Sequence, residues 1–156
     1  MVAAVLDLPA TGGCRCGACR YSFDSALFVV YTCHCRDCQK LTGSAFLTCL
    51  HIAAEALELT AGESVVDERP TDSGNLVRTH FCLRCGGSLY ARNSARPRMI
   101  TLHVGSMDHP EQIEVRNHIW TKRKLPWIII PAGHRTFSEG GDWREEYARD
   151  PERYGE

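Results

Sequence analysis

The chain has 156 residues, 44% of them hydrophobic and 24% charged, with 18 lysines and arginines against 19 acidic residues for a net charge of −1. That make-up fits one globular domain with a single core, and the balance excludes an electrostatic footprint for nucleic acid or an anionic membrane. Nine cysteines are the departure from the ordinary.

Residues 1–10 lack a basic leader, and Asp7 interrupts their short apolar run, so they do not read as a secretory signal. No stretch approaches the roughly 18 apolar residues of a spanning helix. The expected address is therefore cytoplasmic, where thiols stay reduced and paired cysteines call for metal rather than disulfides. The first cysteine group, Cys14-Arg15-Cys16-Gly17-Ala18-Cys19, comes next. Aromatic and β-branched residues predict strands over Ala18–Phe23 and Phe28–His34. The second of these runs into Cys33-His34-Cys35-Arg36-Asp37-Cys38. A short helical turn is predicted over Arg36–Leu41, closed by Gly43.

Further strands are predicted over Ser44–His51, Leu57–Thr60, Val65–Arg69 and Leu76–Phe81, with a helical turn at Ala53–Ala56. The third cysteine group, Cys82-Leu83-Arg84-Cys85-Gly86-Gly87, follows. Ser88–Ala91, Met99–Val104 and Gln112–Val115 continue the strand pattern. Lys122-Arg123-Lys124, the only dense basic cluster, reads as a solvated strand end. Leu125–Ile130 (Leu-Pro-Trp-Ile-Ile-Ile) reads as a buried strand, and Asp142 stands where it would cap a short terminal helix. The sum predicts an all-β fold, a small domain with brief helical turns.

Cysteine spacing carries the chemistry. In an extended strand residues i and i+2 share a side, so Cys-x-Cys presents both sulfurs to one ion. Cys-x-x-Cys needs a sharp turn to bring both thiolates to about 2.3 Å from a metal; Gly86 and Gly87 supply the backbone freedom, and Gly17 does the same after Cys16. Cys82 and Cys85 need two more ligands, and Cys14 with Cys16 are the natural donors of a closed, structural four-thiolate site. Cys33, Cys35 and Cys38 supply three ligands from six residues, and three protein ligands with a vacant position are what a catalytic zinc requires. A closed second site completed by Cys19 or Cys49 is the alternative. An odd cysteine count speaks against a disulfide framework, and no ferredoxin spacing appears. His34, between two ligands, is expected to turn its ring away from the ion. His51, His80, His103, His109, His118 and His134 have no carboxylate or nucleophile at a diagnostic spacing and read as ordinary surface or core residues.

At these residues the sequence resembles the glutathione-dependent formaldehyde-activating enzyme family, which also contains centromere protein V. The resemblance runs from about Gly13 to Trp127. It rests on Gly13-Cys14-Arg15-Cys16-Gly17 with Tyr21, on Cys33-His34-Cys35-Arg36-Asp37-Cys38-Gln39-Lys40 with Gly43, and on Phe81-Cys82-Leu83-Arg84-Cys85-Gly86 with Leu89. Gly105-Ser106-Met107-Asp108, His118-Ile119-Trp120 and Trp127 complete it.

The resemblance implies one all-β, zinc-binding domain of several short antiparallel sheets over 1–156, with a core of about 13–127 and a C-terminal extension over 128–156. It implies two zinc ions per chain, a structural one on Cys14, Cys16, Cys82 and Cys85 and a catalytic one on Cys33, Cys35 and Cys38. It also implies addition of glutathione to formaldehyde, giving S-hydroxymethylglutathione, in the class of carbon–sulfur lyases. Lys40 is a candidate for a substrate carboxylate or a developing oxyanion. The expected partner is a small-molecule thiol, glutathione first, with neither nucleic acid nor membrane. Two other readings stand beside it: a two-zinc structural or interaction module without catalysis, and a zinc enzyme hydrolysing another small electrophile.

Overall fold

The computed structural model describes residues 6–25 and 29–148. In chain order the strands are β1 (Ala10–Gly13), β2 (Arg20–Phe23) and β3 (Val29–Cys33), then helix α1 (Arg36–Thr42) and β4 (Leu47–Ala53). β5 (Leu57–Ala61), β6 (Ser64–Pro70), β7 (Leu76–Cys82), β8 (Ser88–Asn93) and β9 (Met99–His103) follow. The chain closes with β10 (Asn117–Ile119), β11 (Arg135–Thr136) and a single helical turn α2 (Arg144–Tyr147). Short 3₁₀ turns occupy Ala54–Ala56, Val104–Ser106, Pro110–Gln112 and Thr121–Arg123. Among the described residues no helix is long and apolar enough to cross a membrane.

Two sheets make an all-β fold. A three-stranded antiparallel sheet runs β1-β2-β5, and an eight-stranded sheet runs β11-β10-β3-β4-β9-β8-β7-β6. The larger is mixed, because β10 lies parallel to both β3 and β11.

Strand alternation divides the large sheet into two working faces. Val30, Leu50, Ile52, Ile100 and Leu102 point to one side, where they pack with Tyr21 and Phe23 of the small sheet. Each such fully buried side chain contributes about 1.5–3 kcal/mol. The intervening residues Tyr31, Cys33, Leu47 and Cys49 point to the other side, against Ile119 and Trp143. β3 and β4 therefore carry apolar residues on both faces, as strands covered on both sides do. Gly12 is set by its cross-strand partner in the small sheet, since a Cβ there would lie 2.2 Å from Tyr21 Oη.

The predicted strands over Ala18–Phe23, Ser44–His51, Leu57–Thr60, Val65–Arg69, Leu76–Phe81, Ser88–Ala91 and Met99–Val104 correspond to β2 and β4 to β9, with shifted ends. In the segment predicted over Phe28–His34, Phe28 lies outside the described residues and the strand covers Val29–Cys33. α1 ends as predicted on Gly43, whose φ of 63° lets its N–H reach Gln39 O. Asp142 accepts a 3.2 Å bond from Arg144 N, capping the first turn of α2.

Two predicted strands are absent. Gln112–Val115 is irregular after a 3₁₀ turn opened by Pro110, and Ile113 and Val115 pack singly against the core. Leu125–Ile130 is an exposed turn, with Trp127 70% and Ile129 89% exposed. Pro126 lacks a ladder donor, and the Lys124 ammonium donates to Leu125 O and Ile128 O at 3.2 and 2.7 Å, folding the segment on itself.

The buried tryptophan is instead Trp143, stacked on Tyr31 at 5.4 Å and edge-on to Phe137. Trp143→Ala is expected to cost about 3–5 kcal/mol, whereas Trp127→Ala stays within about 0.5 kcal/mol. Urea unfolding of the two variants checks this; equal midpoints would refute the assignment of the buried face.

Candidate functional site

Two cysteine knuckles meet at the junction of the sheets. After β1, Gly17 at φ 78° allows Gly17 N–H to bond Cys14 O, and Cys14 N–H to bond Cys19 O, both at 3.0 Å. After β7, Gly86 at φ 71° lets its N–H reach Cys82 O at 2.8 Å, and Cys82 N–H bonds Gly87 O at 2.9 Å. The sulfurs of Cys14, Cys16, Cys82 and Cys85 all fall within 4.8 Å of one another. Sγ of Cys16 lies 3.6 Å from that of Cys14 and 3.8 Å from that of Cys82. A tetrahedron with metal–sulfur bonds of about 2.3 Å has edges of about 3.8 Å, while a disulfide would need about 2.0 Å. The donor set fits a metal ion.

The second cluster joins the end of β3 to α1. Cys33 closes the strand, Cys35 caps the helix, and Cys38 sits in its first turn. Their three sulfurs also lie within 4.8 Å of one another. Cys38 N–H donates to Cys35 Sγ at 3.3 Å. The Cys33 and Cys38 thiols, with that N–H, pull the Cys35 thiol far below its ordinary range, and the same contacts push Cys38 far up. A cluster that already stabilises one thiolate and crowds two more protons is arranged for a cation to replace them.

Cys19 and Cys49 join neither cluster. Cys19 is buried with its Sγ donating to Glu63 O at 3.2 Å, and burial pushes it up to about 12. Cys49 is buried beside Tyr31, and burial likewise raises it well above its usual range. Among the described residues the three-cysteine cluster thus has no fourth thiol.

The open cluster forms one end of a cavity of about 240 Å³. Its floor is the second face of the large sheet, with Cys49, His51, Thr79, Ala91, Thr101 and His103. Trp120, Trp143, Arg69, Asn93 and Arg96 also line it. Trp120 holds a left-handed backbone, φ 56°, with its N–H on Glu139 O at 2.7 Å. Such a conformation costs a non-glycine residue roughly 1–2 kcal/mol.

The histidines are organised, contrary to the expectation of scattered residues. His51 Nε2 lies 2.8 Å from Tyr31 Oη and its Nδ1 2.8 Å from Tyr147 Oη. Burial, then the charge of Arg96, lowers it to about 3, so it is neutral. His103 Nδ1 lies 3.0 Å from Ser88 Oγ, and burial lowers this ring to about 4.

His34 turns away from the sulfurs as expected, its ring wholly buried. Its Nε2 lies 3.2 Å from His118 Nδ1, and His118 Nε2 lies 2.9 Å from His134 Nδ1, a row of three imidazoles behind the cluster. Gln39 braces this region by donating to His34 O at 2.8 Å and Arg123 O at 3.0 Å. Lys40 is exposed on α1 and does not line the cavity.

His51, His103, Arg69 and Arg96 carry no motif spacing, and sequence reasoning missed them. The signal available was their strand parity: His51 is two residues from Cys49, on the same face.

The model of the family described as "Glutathione-dependent formaldehyde-activating enzyme" matches residues 9–123. The chain belongs to the glutathione-dependent formaldehyde-activating enzyme family. The match spans both cysteine clusters and β1 to β10. No curated protein matches the sequence. A crystal structure of a Rhodobacter sphaeroides protein resembles the chain with a TM-score of 0.50 at 16% identity, covering 81% of this chain and 98% of that one. At that identity the likeness is one of fold alone.

The two clusters differ in what they hold together: residues 14 and 85 in one, six consecutive residues in the other. Cys82→Ser is expected to lower the melting temperature by roughly 10 °C or more, and Cys35→Ser by much less. Thermal melts of both variants under reducing conditions check this, and equal losses would refute it.

Proposed function

We propose that the chain is a zinc-dependent enzyme that adds a thiol, glutathione first, to formaldehyde, giving S-hydroxymethylglutathione. The reaction belongs with the carbon–sulfur lyases. In this reading Cys14, Cys16, Cys82 and Cys85 hold a structural zinc, and Cys33, Cys35 and Cys38 hold the catalytic one. The observation that carries it is the three-sulfur cluster opening on a cavity with no fourth thiol among the described residues.

A zinc ion held by three thiolates supplies a soft position that favours a further sulfur over water and keeps a bound thiol deprotonated. The other work falls to the chain. Cys33, Cys35 and Cys38 would hold that ion where they line the cavity, beside space for a small aldehyde, and such proximity would lower the barrier. Trp120, Trp143 and Ile119 line the same cavity and limit water. Overall, a sulfur–carbon bond forms, the carbonyl π pair becomes a hydroxyl, and the thiol hydrogen ends on that oxygen. His103, neutral with Nδ1 held by Ser88, leaves Nε2 available to carry the proton.

Hydrolysis suits the site less well, since three anionic sulfurs make a bound water less acidic than neutral histidine ligands would. A purely structural module would not need a cavity floored by buried, neutral histidines. A reducing, cytoplasmic setting suits nine free thiols.

Protein purified under reducing conditions is expected to carry two zinc ions, with one metal or mostly iron in elemental analysis counting against the reading. With cobalt in place of zinc, glutathione at about millimolar levels should perturb the visible spectrum, and Cys35→Ser should abolish the response. An unchanged spectrum would overturn glutathione as the substrate.

A further inference from the structure

The cavity lining combines sulfur with positive charge. Three thiols and three arginines, Arg69, Arg92 and Arg96, belong to it, and among the described residues no carboxylate does. The strand geometry separates the arginines from one another. Arg69 pairs across the sheet with Val77, and Val77 with Asn93. Both partners line the cavity, so Arg69 stands on the same face. Arg92 is one residue out of phase, and its guanidinium lies 6.0 Å from the centroid of Tyr90, a residue of the core between the sheets. Arg92 borders the cavity too, but with its guanidinium directed to Tyr90. Arg96 lies in the hairpin between β8 and β9, close enough for its charge to bear on His51 in the cavity floor.

Arg69 also reaches the cysteine helix. Its Nη1 lies 3.0 Å from Asp37 Oδ2, and Asp37 stands between Cys35 and Cys38 in the first turn of α1. The pair bridges the edge strand β6 to the open cluster. With side chains 37% and 60% exposed, it adds little stability of its own. A carboxylate entering the cavity can therefore replace Asp37 on the guanidinium.

We propose that Arg69 and Arg96 form a carboxylate-binding rim that selects anionic thiols, those carrying a carboxylate, for the three-cysteine centre. The proposal rests on the thiol chemistry given as the proposed function and narrows its substrate class. Three thiolates around a doubly charged ion already sum to a net negative site, and a fourth sulfur adds to it. Arginines on the cavity rim offset that repulsion for an anionic substrate. The planar guanidinium fork also matches a carboxylate in geometry. In glutathione the glycyl residue adjoins the sulfur-bearing one, a Cα spacing of about 3.8 Å, so both ends of such a ligand fit one small cavity.

The test uses cobalt-substituted protein titrated with mercaptoacetate, mercaptoethanol and cysteamine, which share a thiol and differ in charge, with affinities corrected for each thiolate fraction. Mercaptoacetate is expected to bind about tenfold more tightly than mercaptoethanol, with cysteamine weakest. The double variant Arg69→Gln, Arg96→Gln should level the three. Asp37→Asn, which releases Arg69, should sharpen the preference for mercaptoacetate. Equal affinities in the unaltered protein overturn the rim while leaving the thiol reading intact, as does a shift in the same direction for Arg69→Gln and Asp37→Asn. A spectrum unmoved by every thiol overturns both. A response to mercaptoacetate but none to glutathione upholds the rim and removes glutathione alone.

Discussion

The central strands β3 and β4 are buried on both faces, and the rest of the molecule is arranged around that constraint. A strand covered on one side can afford polar residues on the other. These strands cannot, unless every polar group finds a partner, because an unsatisfied buried donor or acceptor costs about 1–3 kcal/mol. One face is closed by the small sheet through Tyr21 and Phe23. The opposite face has no second sheet and is covered by the segment that carries Trp143. That cover is incomplete, and the gap is the cavity. His51 survives within it because two tyrosine hydroxyls take both ring nitrogens, and His103 because Ser88 takes one.

The cysteine clusters sit at the sheet's discontinuities, where a strand ends and the backbone turns. Each uses backbone N–H groups aimed at sulfur, Cys19 N on Cys14 and Cys38 N on Cys35, to favour a thiolate before any ion arrives. Local chain geometry thus does much of the preparation, and long-range folding only has to bring two prepared knuckles together in one case and none in the other. That difference ties one cluster to the long-range fold and leaves the other local to one strand end and one helical turn.

The sulfur groups were legible in the sequence because ligand spacing is a local property, fixed by strand parity and by the tightness of a glycine-assisted turn. Most strands were legible for a similar reason, since β-branched and aromatic runs between turn residues are also local. The errors fall where long-range context decides. Leu125–Ile130 has the composition of a core strand, but Pro126 denies it a ladder and Lys124 folds it outward. β10 and β11, three and two residues long, exist only because β3 offers an edge. The histidine row and the arginine rim could not be read from spacing, because His34, His118 and His134 are brought together by the parallel β3–β10 and β10–β11 pairings.

All seven clustered sulfurs precede residue 86, whereas Trp143 and its neighbour Gly141, which wall the cavity, lie beyond residue 123, where the family match ends. One wall of the pocket is therefore written outside the stretch that carries the sulfurs and the floor. Gly141 lies so close to the Trp143 ring that an added Cβ would fall 2.1 Å from it, so a single change there would displace the wall and leave every sulfur where it was. The tail alone can thus reshape one side of the chamber. A chain cut to the matched segment would keep its thiols but lose one side of the chamber in which they work.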